Sequence, residues 1–105
     1  MLERLFRVIE SRRGADPEVS HTARLFAQGK TRIAAKLGEE AVETVAAAIG
    51  ESPDRVIAES ADLLYHLLVL WAATGVKPAR VWAELKRREG VSGIAEKKAR
   101  SKPRG

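Results

Sequence analysis

Fourteen residues from Leu63 to Val76 pass without a charge, and the stretch that leads into them, AESADLLYHLLVLW over residues 58–71, carries Glu59, Asp62 and His66. At helical periodicity the segment is apolar around most of its circumference between Leu63 and Trp71, which a surface helix of a small domain cannot be. Such a helix has to be central, packed by its own chain on one side and by a second subunit on another. The acids set the sharper constraint. A buried, unpaired carboxylate costs several kcal/mol or takes up a proton, so Glu59 and Asp62 need a partner.

The rest of the chain is helical too, and no stretch alternates as a strand would. Leu2, Leu5, Phe6 and Ile9 form a first apolar stripe that ends near Gly14. After GADPEV, Ser20 caps a short second helix through Gln28, with Gly29 beyond its end. Thr31 is placed to cap a third helix, with Ile33, Leu37, Ala41 and Val45 on its apolar side and Gly50 at its end. In ESPDR, Ser52 is the cap, Pro53 opens the fourth helix and Asp54 complements its dipole, and the helix runs to about Thr74 before Gly75. Pro78 opens a fifth, PARVWAELKRR, which fades at Gly90. The expectation is an all-α bundle of about five helices over residues 1–90, completed by dimerisation. VSGIAEKKARSKPRG, residues 91–105, reads as a basic tail ordered in part by substrate or by the partner subunit.

Composition excludes several alternatives. With 105 residues, 45% of them apolar and 31% charged, the chain is large enough for one core but has little to spare, which again favours self-association. There is no cysteine, so disulfides, thiol nucleophiles and cysteine zinc sites are ruled out. MLERLFRVIESRR lacks the apolar block and cleavage site of a leader, and the 14-residue uncharged run falls short of the roughly 20 residues that span a bilayer. A cytoplasmic protein without membrane attachment is expected. The net charge of +5 is uneven: net +7 from Lys77 onward and −2 before it. That asymmetry points to an anionic partner, a nucleic acid or a polyphosphate nucleotide.

The acids explain themselves in pairs. Glu59 and Asp62 lie 60° apart on the fourth helix, with His66 between them in angle, while KLGEEAVE puts Lys36, Glu39, Glu40 and Glu43 on one face of the third. In an antiparallel hairpin centred near Glu51, Glu43 stands level with Glu59 and Glu40 level with Asp62. Axes about 8 to 10 Å apart let facing carboxylates meet on one small ion. Each close pair repels by about 4 kcal/mol at 4 Å and an effective dielectric near 20, and a divalent cation removes that penalty. All-oxygen ligands suit Mg2+, with Mn2+ as the alternative, better than zinc. A di-iron centre is set aside, because Glu18 to His21 is the one Glu-x-x-His spacing in the chain.

E-E-x-x-E followed by E-x-x-D on the next helix resembles the all-α nucleotide pyrophosphohydrolases, the MazG-like and dimeric dUTPase-like group. Within it, SHTARLFAQG, KLGEEAVE, ESADLLYHLLVL and LKRREGVSGIAEKKAR, which together span residues 20–100, resemble the phosphoribosyl-ATP pyrophosphohydrolase family of histidine biosynthesis. The resemblance implies a homodimer that hydrolyses phosphoribosyl-ATP at the α–β phosphate bond to phosphoribosyl-AMP and pyrophosphate. It implies Glu40, Glu43, Glu59 and Asp62 as magnesium ligands, and Glu39 as a second-metal ligand or the group that orients water. Lys36, Arg88 and Lys97 are candidate phosphate partners, and Ser20, Thr22 and His66 candidate polar contacts. His21 stands where the family pattern has a tyrosine, which keeps a ring there and removes a phenol.

Other readings of the same residues stand beside this one. EEAVE alone is also a solvated helix face with Lys36 and Glu40 as a surface pair, His66 is also a hydrogen-bonded core histidine, and Tyr65, Trp71 and Trp82 read as core or subunit contact. A MazG-like house-cleaning enzyme acting on other nucleoside triphosphates would share the metal site. A nucleic-acid-binding helical protein would use KKARSKPRG, but no aromatic residue interleaves with that tail and the acidic face would repel a backbone.

Overall fold

The computed structural model describes residues 1–50 and 52–89. Five helices follow in order: α1 Leu2–Ser11, α2 His21–Gln28, α3 Lys30–Gly50, α4 Pro53–Thr74 and α5 Pro78–Arg88. The all-α expectation holds, with no strand among the described residues. Lys97 and the tail 91–105 lie outside them.

Local chemistry sets most helix ends. The Ser20 hydroxyl accepts the Ala23 N–H at 3.1 Å, and Pro53 and Pro78 occupy first-turn positions where a missing N–H removes no helical bond. At the end of α4, Gly75 adopts φ 76°, so that Val76 N–H reaches Trp71 O at 2.8 Å and Gly75 N–H reaches Ala72 O at 3.4 Å. This Schellman arrangement needs a left-handed residue, which glycine supplies without a Cβ clash. Two boundaries differ from expectation. α3 begins at Lys30, because Ile33 N–H already bonds Gly29 O at 3.1 Å; Thr31 therefore lies in the first turn and is not the cap. α1 stops at Ser11, and a turn carries the chain on to Gly14.

α3 and α4 pack along their length as the hairpin that the acid spacing required, and α1 and α2 close over the far half of α4. The core lies there: Phe6 and Ile9 of α1, Leu25 of α2, Ile33 of α3 and Leu68, Val69 and Ala72 of α4. Arg13 donates to the Ala72 carbonyl, and its guanidinium stands 4.9 Å over the Phe26 ring, fastening the turn after α1 to the end of α4. α5 packs on α1, with Trp82 Nε1 donating to Glu3 at 2.8 Å and its ring edge-on to Trp71. By length and composition α4 would also pass as a membrane span, but its apolar half forms this core.

The inward face of α3 is rotated from the stripe its apolar residues mark, with Leu37 and Ala41 only half-buried. Ile33, Glu40 and Ala47 are buried, whereas Val45 is 58% exposed, beside Val42 and Ile49. An acid therefore turns toward α4 and an aliphatic row turns away. Ile57 and Leu64 of α4 are exposed as well. Among the described residues these apolar side chains have no cover.

Candidate metal centre

One turn before the midpoint of α4, Glu59 turns toward α3, where Glu40 and Glu43 sit one turn apart. One carboxylate oxygen from each of Glu40, Glu43 and Glu59 lies within 4.8 Å of the others. Glu40 and Glu59 are more than nine-tenths buried, and Glu43 is exposed, so the group opens to solvent on one side. Between the helices the Thr44 hydroxyl is shared by the Glu40 carbonyl at 2.8 Å and the Glu59 carbonyl at 3.3 Å, which keys their register at the level of the acids.

The electrostatics are unresolved by the protein itself. Glu59 is pushed above its ordinary value of 4.5, first by burial, then by a hydrogen bond shared with Glu43 and by the charges of Glu43 and Asp62, against the pull of Arg55. Arg55 Nη2 stands 2.6 Å from Glu59 Oε1. The other oxygen of Glu59 and one oxygen of Glu40 are buried without a hydrogen-bond partner, an expensive condition for carboxylates. Oxygens that converge, are partly dry and want positive charge fit a hard divalent cation such as Mg2+ or Mn2+.

The other expected residues divide. Asp62 is exposed and its carboxylate stands outside the three-oxygen group, while its charge still acts on Glu59. Glu39 is paired with Lys36 at 3.2 Å and Arg32 at 3.8 Å on the outer side of α3. His66 is buried; its Nδ1 bonds the Asp62 carbonyl at 2.8 Å, and since a carbonyl only accepts, that nitrogen carries the proton and Nε2 is left without a partner. Ser20 is engaged as a helix cap and Thr22 bonds the Tyr65 hydroxyl. The His21 ring does keep an aromatic contact, stacked 6.4 Å from Tyr65, which in turn stands edge-on to His66. Arg88 bonds Glu84 on α5, a helix that packs on α1 and meets α4 through Trp82 at Trp71, three turns along α4 from Glu59. Arg55 and Thr44 were not anticipated. Arg55 was visible as a basic residue four before Glu59, but that spacing is also that of any surface pair; Thr44 carries no pattern that marks it.

Residues 2–89 match the family described as phosphoribosyl-ATP pyrophosphohydrolase. The chain belongs to that family. Among curated members, the phosphoribosyl-ATP pyrophosphatase of Paramagnetospirillum magneticum is 64% identical over 102 residues, covering 97% of this chain and 94% of that protein. The enzyme of the same name from Rhodospirillum rubrum is 60% identical across 97% of this chain and 87% of its own length, and that from Gluconobacter oxydans 57% across 97% and 77%. The phosphoribosyl-ATP pyrophosphohydrolase match takes in α1 to α5 entire, so the hairpin with its acids lies inside it.

Proposed function

We propose that the chain hydrolyses phosphoribosyl-ATP between the α and β phosphates, giving phosphoribosyl-AMP and pyrophosphate for histidine biosynthesis, with Mg2+ held by Glu40, Glu43, Glu59 and Asp62. The observation that carries this is the convergence of three glutamate oxygens from α3 and α4 within 4.8 Å, two of the acids being buried and incompletely bonded, in a chain of this family. Bound there, the cation would neutralise the acids, bridge them to substrate phosphates and lower the pKa of a water for in-line attack. The protein's share is to hold its acids level, keep one side of the group dry and orient the water. Glu39 is the group we assign to a second metal or to that water. Lys36, Arg88 and Lys97 are the phosphate contacts in this reading, with Ser20, Thr22 and His66 as polar neighbours of the nucleotide.

A second copy of the chain is the proposed cover for Val42, Val45 and Ile49 of α3 and Ile57 and Leu64 of α4, whose exposure supports a homodimer. Arg88 and the tail 91–105 would then reach a carboxylate group through the assembly, in a cytoplasmic enzyme. Sedimentation of the wild type against Val45→Ser/Ile49→Ser tests this, the double variant being expected to dissociate.

Pyrophosphate release from phosphoribosyl-ATP, with magnesium and with chelator, beside a panel of ordinary and damaged nucleoside triphosphates, tests the activity. Release that needs the metal and is fastest with phosphoribosyl-ATP is expected. Faster cleavage of the other triphosphates would favour the house-cleaning alternative.

A further inference from the structure

Arg55 stands one turn before Glu59 on α4, and its half-exposed guanidinium reaches the Glu59 carboxylate. Its Nη2 lies 2.6 Å from Glu59 Oε1, while 55% of its side chain is exposed. Glu59 itself is 5% exposed and its second oxygen has no partner, so the guanidinium meets the one carboxylate of the group that most needs a cation. A guanidinium and a divalent ion are alternatives for such an oxygen. A divalent ion drawn to Glu40, Glu43 and Glu59 would come within a few ångströms of a guanidinium that already holds Glu59, and the two cations repel each other across that carboxylate.

We infer that Arg55 competes with the divalent cation for Glu59 and, once displaced from it, binds the polyphosphate of the incoming nucleotide. The inference rests on Glu40, Glu43 and Glu59 being the metal site. Its second half follows from the side chain's chemistry and setting. The planar fork of N–H donors matches phosphate oxygens two at a time, which an ammonium cannot do. The stem is half in water, so the head moves from a carboxylate to a phosphate at the same rim without disturbing the core. A polyphosphate approaching a group with excess carboxylates also needs more positive charge than one ion brings. Arg55 thus serves as counter-ion before the nucleotide arrives and as ligand afterwards.

The two halves predict effects of opposite sign. Manganese(II) binding to the metal-free, nucleotide-free enzyme is measured by electron paramagnetic resonance for the wild type, Arg55→Gln and Arg55→Lys, alongside KM for phosphoribosyl-ATP and inhibition by inorganic pyrophosphate. Arg55→Gln is expected to bind manganese about fivefold tighter, the effect of removing one solvent-screened charge a few ångströms away. The same variant is expected to raise KM and weaken pyrophosphate inhibition by about tenfold or more, the loss of a charge-assisted bond. Arg55→Lys, which keeps the charge without the fork, should bind manganese as the wild type does and lie between the two in KM. A residue that only pinned the first turn of α4 would lower the melting temperature without tightening metal binding. Manganese binding by a folded Arg55→Gln protein that is equal to or weaker than wild type overturns the inference, as does an unchanged KM. If Glu43→Gln binds manganese as well as wild type does, the metal site itself is wrong and the role of Arg55 falls with it.

Discussion

Glu59 on α4 and Glu84 on α5 are the same residue type with opposite fates. Glu84 receives Arg87 at 2.7 and 3.1 Å and Arg88 at 3.0 Å from its own last turn, and is held down to about 2. Glu59 is dry, faces the carboxylates of Glu43 and Asp62 with Arg55 against it, and is pushed up. Both acids have basic neighbours at helical spacing. The difference is whether the fold supplies enough positive charge locally. α5 does, and Glu84 is complete within its own helix; the α3–α4 hairpin does not, and its surplus negative charge is what the proposed cation would neutralise.

The largest expected effect comes from taking one acid out of the deficient group. Glu43→Gln should lower pyrophosphate release well beyond the ~100-fold that loss of an outer-shell partner of a metal can bring. Its metal-free fold should melt no lower than wild type, because a repulsive pair has been relieved. Calorimetry in chelator beside the rate assay checks both, and a wild-type rate with magnesium present would end the assignment of these residues.

Next in size is the dependence on pH and metal. A group raised in the folded state stabilises that state when protonated, so in chelator the contribution from Glu59 is complete below its ordinary 4.5 and is lost as pH climbs through its raised folded value. Melting temperature without metal should therefore fall over that interval. Magnesium should reverse the fall, and at a hundred times its dissociation constant it adds about 2.7 kcal/mol. Melting curves from pH 4 to 8, with and without magnesium, should diverge as pH rises; parallel curves would mean that the cation binds elsewhere.

Local signals in the chain carried most of the architecture. Ser20, Pro53, Gly75 and Pro78 punctuate the helices through bonds to their immediate neighbours, so their effect is legible without tertiary knowledge, and Thr31 misled only because Gly29 already starts the ladder. The acid pairs were legible for a related reason: a tight hairpin makes height along two helices a matter of counting outward from the turn, and Glu43 and Glu59 do meet. What counting could not give is rotation. The stripe of Ile33, Leu37, Ala41 and Val45 on α3 reads as the inward face, yet Glu40 turns in and Val45 turns out beside Val42 and Ile49, because hydrophobicity marks surfaces to be covered without saying by which chain. Nor does a helix-ending Arg88 disclose that α5 packs on α1.

A smaller effect tests whether the register of the hairpin is held apart from its charges. Thr44→Val removes the hydroxyl shared by the Glu40 and Glu59 carbonyls while keeping the shape of the side chain. Both carbonyls keep their helical partners, so the loss should be about 1 kcal/mol in chemical denaturation, with metal binding weakened only a few-fold. Thr44→Ser should restore both.

The smallest effect belongs to the satisfied acid, and its sign with pH is what makes it informative. Glu84 has a lowered pKa, so its contribution is present above the ordinary 4.5 and lost as pH falls toward 2, the reverse of Glu59. Because its partners are exposed and solvent screens them, Glu84→Gln should shift the melting temperature at pH 7 by no more than a few degrees, and less in high salt. The shift should shrink as acid protonates the wild-type residue, and magnesium should leave it unchanged. A Glu84→Gln shift that grew with magnesium would tie α5 to the metal centre and erase the contrast between a charge the fold completes and one it leaves open.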